Sequence, residues 1–222
     1  MQYEIIYLPK ERWQGQILPI GYTTKEYYDV NIHSCQSGFT VRIEKKQLAE
    51  PVTHTPEEHD FPDRLYKEHW QGACAWGIVT EGRLAAAIET VPETWSNRLR
   101  VAELWVDEPF RKQGIGHGLM EVAKEQARLE RRRAVILETQ SCNVNAVGFY
   151  LHEGFTLIGM DICCYSNEDL EQKEVRLELG WFPPKKPRLN RSELEIRTVP
   201  PLKKQYFPSQ WDVPATEAEN EE

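Results

Sequence analysis

Val101-Ala102-Glu103-Leu104-Trp105-Val106, then Asp107-Glu108-Pro109-Phe110, then Arg111-Lys112-Gln113-Gly114-Ile115-Gly116-His117-Gly118 reads as a strand, a proline-bearing turn and the opening of a helix. The first turn of a helix leaves backbone N–H groups without intrahelical partners and carries the positive end of the helix dipole. Glycines at that point let the main chain come close to an anion. With Arg111 and Lys112 alongside, the segment predicts a cradle for phosphate oxygens. It is not a P-loop, because no Gly-Lys-Ser/Thr follows. It is not a dinucleotide fingerprint either, because the G-x-G-x-x-G spacing fails across Gly114, Gly116, Gly118 and Leu119.

Outward from this segment the period of the apolar residues alternates between strand and helix. Gly72 to Val79 and Leu84 to Val91 are apolar runs joined by Glu81-Gly82-Arg83, which predicts a β-hairpin, and Leu99 to Val106 supplies a third strand. After the glycines, Ile115, Leu119, Val122, Ala123 and Ala127 share one face of a helix running to about Arg131. Ala134 to Glu138 reads as a short buried strand. Asn143 to Glu153 places Ala146, Phe149 and Tyr150 at helical spacing, with Gly154 where a left-handed cap belongs. Phe155 to Tyr165 and Lys173 to Trp181 read as two further strands, separated by a polar loop from Ser166 to Glu171.

Towards the amino terminus the clearest strand is Phe39 to Glu44, with Tyr28 to His33 as its partner across the Cys35 to Gly38 turn. Thr55-Pro56-Glu57-Glu58 has the look of a capping box, predicting a short helix limited by Pro62. Beyond Trp181 prolines recur from Pro183 to Pro214 and the chain ends in an acidic run. Such a segment reads as an extended tail, or as an arm packing Leu202, Tyr206, Phe207 and Trp211 onto a neighbouring surface. The expected organisation is a β-rich segment over residues 1–67 that joins the same fold, a core over 68–182, and a tail over 183–222.

The net charge of −8 argues against nucleic acid as a partner, and the basic run Arg128 to Arg133 reads as the solvated end of a helix. No stretch is long and apolar enough to span a bilayer, and the start lacks the layout of a secretory signal. The five cysteines show no C-x-x-C spacing and the histidines no ligand pair, so reduced thiols, a cytoplasmic location and no metal are expected.

Two blocks carry a resemblance. Arg111-Lys112-Gln113-Gly114-Ile115-Gly116, after a strand ending in Val106, resembles the R/Q-x-x-G-x-G/A signature of the GNAT superfamily of acyl-CoA-dependent N-acetyltransferases. Asn143-Val144-Asn145-Ala146-Val147-Gly148-Phe149-Tyr150-Leu151-His152-Glu153-Gly154-Phe155 is similar to that family's N-x-x-A-x-x-F-Y-x-x-x-G-F element. The resemblance covers about residues 70–181. Within it, Ile136 to Gln140, the Asn143 block and Gly159-Met160-Asp161 leading to Tyr165 are similar in order and spacing to streptothricin acetyltransferases, which acetylate the β-lysyl amine of a cationic antibiotic.

The resemblance implies an α/β (α+β) fold, with a mixed, mostly antiparallel sheet flanked by helices and splayed at an acetyl-CoA site. It implies acetyl-CoA as cofactor, coenzyme A as product, and direct attack by an amine in a ternary complex. The implied cofactor contacts are Leu104, Trp105, Val106, Arg111, Lys112, Gln113, Gly114, Ile115, Gly116, His117, Asn143, Ala146 and Phe149. The amide of Val106 or of Trp105 would donate to the thioester oxygen. Glu103 matches a position where the family often carries the base, and Tyr150 matches a tyrosine that protonates the leaving thiolate. Asn143 also reads as a helix N-cap. Glu138 would orient the substrate or share the base role. The expected partner is a small cationic amine such as a streptothricin-like antibiotic or a polyamine, with a homodimer left open. The rival readings are a protein lysine or N-terminal acetyltransferase and a non-catalytic acyl-CoA-binding module.

Overall fold

Alternation along β4 (Cys74–Thr80), β5 (Arg83–Glu93) and β6 (Arg98–Val106) buries both faces of one sheet. The computed structural model describes residues 3–57 and 62–184, and its other main-sheet strands are β1 (Ile6–Tyr7), β7 (Ala134–Gln140), β8 (Thr156–Asp161) and β9 (Arg176–Trp181). The main sheet has the order β1-β4-β5-β6-β7-β9-β8. Every described pairing in this sheet is antiparallel except β6 with β7. β2 (Tyr22–Cys35) and β3 (Gly38–His54) form a separate two-stranded sheet.

Two apolar layers enclose the main sheet. On one face α2 (Ile115–Leu129) buries Ile115, Leu119, Met120, Ala123 and Ala127 against Trp76, Ile78, Ala86, Ile88, Leu99 and Val101. On the other, Leu8, Leu18, Leu65, Tyr66 and Trp13 of α1 (Lys10–Trp13) cover Ala75, Ala87 and Trp105. The last helices are α3 (Val144–His152) and the single turn α4 (Asp169–Gln172).

Val101 packs under α2, whereas Glu103 and Trp105, of the same parity, face the other layer. The cause is a β-bulge: Glu89 opposes Glu103, but Thr90 opposes Val101, leaving Ala102 as the extra residue. One inserted residue reverses the facing of everything beyond it.

Two expectations need correction. The capping-box reading at Thr55 yields no helix over residues 55–57, because pairing of Tyr22 with His54 and Thr23 with Thr53 carries β3 through His54. Glu58 lies outside the described residues. The strand expected to reach Tyr165 stops at Asp161, because buried Asp169 takes the backbone N–H groups of Tyr165 (3.1 Å) and Ser166 (2.7 Å). The same carboxylate holds the turn that becomes α4 within the expected polar loop. The arm carrying Leu202, Tyr206, Phe207 and Trp211 also lies outside the described residues.

Candidate active site

β6 and β7 begin side by side and then part. Their pairing is confined to Arg98 with Ala134, Leu99 with Val135 and Arg100 with Ile136. Beyond that point β7 stays paired with β9 through Gln140, and β6 with β5 through Val106. The β7-side edge of residues 101–106 therefore borders a gap. Asp107 N–H donates to Ala85 O (2.9 Å) on the β5 side. By the alternation of a strand, Val106 N–H then points to the opposite edge, into the gap, and Trp105 N–H points towards β5.

At the mouth of this gap the chain turns through Glu108–Phe110, capped by Asp107 Oδ1 accepting from Glu108 N–H (2.9 Å). Arg111 Nε donates to Val106 O (2.9 Å) and Gln113 Nε2 to Pro109 O (2.9 Å), which ties the loop to the strand end. Lys112 and Gly114 both take positive φ, 61° and 79°. Arg111, Lys112, Gln113 and Gly114 are exposed, and nothing lies within 4 Å of where a Cβ on Gly114 would stand. Ile115 is buried and anchors the first turn of α2. A Cβ on Gly116 would meet the Phe149 ring at 3.3 Å, so glycine there lets α2 and α3 approach. The His117 side chain is engaged by Glu153 (Nδ1 to Oε1, 2.9 Å), which Lys124 also contacts at 3.0 Å. Despite its burial, Lys124 and His117 hold the Glu153 carboxyl below its usual range.

Glu103 is 7% exposed and bound by Lys67 Nζ at 2.8 Å, and Lys67 also reaches Asp63 Oδ1 at 3.0 Å. Burial, reinforced by the Asp63 charge, pushes the Glu103 carboxyl up to about 8 against the pull of Lys67. Its cross-strand neighbour Glu89 is wholly buried, accepts Tyr66 N–H at 2.5 Å, and has an Oε1 without a hydrogen-bond partner. Burial pushes Glu89 up to about 7. Tyr150 packs between the rings of Phe149 (5.4 Å) and Phe155 (6.1 Å). Burial, with the Glu103 charge adding, raises its hydroxyl to about 12.

Asn143 caps α3, its Oδ1 accepting from Ala146 N–H at 3.2 Å. Leu104 packs towards the α2 layer and Trp105 into the opposite one. Glu138 is held by Arg100 (2.8 Å) and Arg176 (3.6 Å) at the strand surface. Its charge is already balanced, which separates it from the buried pair at Glu103. A cleft of about 480 Å³ opens beside Trp105 and Arg111, lined also by Tyr22, His54, Asp107 and Glu108. A second, of about 390 Å³, lies by the hairpin at Thr24 and Glu26 against Val144 and Asn145, and Glu103 lines neither cleft. Lys67, Asp63 and Glu89 escaped the sequence reading because no local spacing joins positions 63, 67, 89 and 103.

Residues 42–155 match the profile of the Acetyltransferase (GNAT) family. A streptothricin acetyltransferase from Escherichia coli is 30% identical over 112 residues, covering 50% of this chain and 64% of that protein. Streptothricin acetyltransferase A from Bacillus subtilis (strain 168) is 29% identical over 123 residues, covering 55% of this chain and 69% of that protein. Among solved structures, a nourseothricin acetyltransferase superposes with a TM-score of 0.63 at 24% identity, over 83% of this chain and all of that one. A Bacillus anthracis protein solved with acetyl coenzyme A superposes with the same TM-score of 0.63 at 18% identity. None of the five cysteines is in a disulfide, and among the described residues no helix is long and apolar enough to cross a membrane.

Proposed function

The chain belongs to the GNAT family of acetyltransferases, and from that membership we propose that it transfers the acetyl group of acetyl-CoA to a primary amine of a small cationic substrate. Its main support is the opening between β6 and β7 beyond Arg100 and Ile136, with the glycine loop at its mouth and Glu103 and Tyr150 beside it. The names of the relatives at about 30% identity point to a streptothricin-like antibiotic. Asp107 and Glu108 beside Trp105 and Tyr22 in the larger cleft suit such a polycation. Cysteines outside any disulfide fit a cytoplasmic setting.

The loop fits a diphosphate. The space over Gly114 is open, Arg111 and Lys112 flank it, and the first turn of α2 offers backbone N–H groups. Arg111, Lys112, Gln113, Gly114, Ile115, Gly116 and the His117 main chain would hold that group, with Leu104, Asn143, Ala146 and Phe149 lining the remainder. Acetyl-CoA, when bound, supplies the acetyl group as a thioester. Glu103 takes the proton of the substrate ammonium, freeing the lone pair for attack. Val106 N–H donates to the acetyl oxygen as it gains negative charge. Tyr150, protonated at any physiological pH, delivers a proton to the departing sulfur.

The test is thiol release from acetyl-CoA across a panel of acceptors. Streptothricin and polyamines should turn over, and lysine-containing peptides should not. Turnover with peptides alone would overturn the small-molecule reading.

A further inference from the structure

Three segments distant in sequence meet at the foot of the long hairpin. His54 ends β3, Cys142 follows β7, and Glu174 precedes β9. His54 Nε2 lies 3.7 Å from Cys142 Sγ and 3.8 Å from Glu174 Oε1, and one donor atom of each residue lies within 4.8 Å of the others. Cys142 is 4% exposed, and the side chains of His54 and Glu174 are 12% and 24% exposed.

We propose that His54, Cys142 and Glu174 form a zinc site that fastens the hairpin to the core. Zinc bonds of about 2.3 Å to sulfur and 2.0–2.2 Å to nitrogen or oxygen place tetrahedral donor atoms about 3.3–3.6 Å apart. The two His54 spacings lie close to that geometry, and the Cys142–Glu174 spacing, within 4.8 Å, closes by side-chain rotation. One sulfur, one imidazole nitrogen and one carboxylate oxygen are the donor set of a borderline-soft divalent ion, unlike the all-oxygen shells of calcium or magnesium. Loss of one proton from the thiol gives a thiolate and a carboxylate whose charges balance the metal, with water completing the shell.

A second layer already orients the donors. Tyr22 Oη donates to Gln140 Oε1 (2.6 Å) and sits 3.2 Å from Cys142 Sγ, and Gln140 Nε2 donates to Glu174 Oε2 (3.4 Å). The Tyr22 ring lies over His54 with centroids 4.8 Å apart. Such outer partners fix ligand orientation in metal sites. A comparable grouping of His117, Glu121 and Glu153 is different, because the Lys124 ammonium sits 2.7 Å from Glu121 and 3.0 Å from Glu153 and already neutralises the carboxylates.

The metal site is tested without acetyl transfer, although Tyr22 and His54 also line the larger cleft. The full chain, stripped with a chelator, is titrated with Zn²⁺ against a chromophoric competitor and separately with Co²⁺. About one equivalent should bind, and the Co²⁺ form should show a near-ultraviolet thiolate-to-metal charge-transfer band. Cys142→Ser should remove the band and weaken binding about 100-fold or more, His54→Gln should weaken it at least tenfold, and Cys163→Ser should change neither. Absence of the band in the unsubstituted chain would overturn the site whether or not Cys142→Ser folds, and uptake unaffected in a folded Cys142→Ser would overturn it as well.

Discussion

Lys67 Nζ sits 2.8 Å from Glu103 Oε1 and 3.0 Å from Asp63 Oδ1, so one ammonium bridges two carboxylates beneath the opening of the sheet. Burial alone would pull Lys67 down, but the Glu103 and Asp63 charges more than offset it and hold it protonated. Lys67 in turn opposes the rise of Glu103 caused by burial and by Asp63. The base form of Glu103 is the carboxylate, which exists above its titration point. Replacing Lys67 with methionine removes the cation that favours that form, so the acidic limb of kcat/KM should move to higher pH. Each unit of displacement lowers kcat/KM at pH 7 by up to about tenfold. pH–rate profiles of the two proteins check this, and an unmoved limb would exclude Glu103 as the titrating base.

Tyr150→Phe removes the phenolic proton while keeping the ring packed between Phe149 and Phe155. kcat should fall by about 10²–10⁴ with coenzyme A affinity within about twofold of the unsubstituted chain, because the ring contacts survive. Steady-state kinetics paired with equilibrium binding separate the two effects. Equal losses in kcat and in affinity would make Tyr150 a binding residue instead.

Glu89 titrates near 4.5 when exposed and near 7 when buried in the fold. Between those values the native chain holds a proton the unfolded chain has released. The stability this confers is complete below about 4.5 and is lost as pH rises through about 7. Denaturant unfolding should therefore show a chain less stable at pH 8 than at pH 5, with Glu89 contributing roughly 3 kcal/mol of the change. Glu89→Gln should remove that share of the dependence and leave the share contributed by Glu103, whose carboxyl is also raised, and a slope unchanged by the substitution would remove Glu89 as a source.

What was legible in the sequence was what short-range chemistry writes there. Gly114 at φ 79° and Gly154 at φ 84° stand where the turn signals put them, and the alternation of Val175, Leu177 and Leu179 matches three buried positions on one face. The strand before the glycine loop was readable, but its bulge at Ala102 was not. A bulge is set by pairing with β5, and without it Glu103 would face α2 with Val101. The full length of the hairpin was hidden for a different reason: both faces of β3 are largely exposed, so its residues carry little apolar period. Glu103 and Tyr150 stood inside recognisable blocks, whereas Lys67, Asp63 and Glu89 converge on Glu103 only through the tertiary fold.

Every proposed catalytic role requires the glycine loop to act as a diphosphate cradle. Gly114→Ala and Gly114→Asp share the cost of a side chain in left-handed backbone, about 1–2 kcal/mol, and no neighbour within 4 Å obstructs a Cβ there. Only the aspartate adds a negative charge facing the anion. Calorimetric titration with coenzyme A of the unsubstituted chain and both variants is the direct measurement. Binding should be saturable in the unsubstituted chain, retained with reduced affinity in Gly114→Ala and abolished in Gly114→Asp. Binding that is absent from the unsubstituted chain, or equal in the two variants, would contradict the cradle assignment.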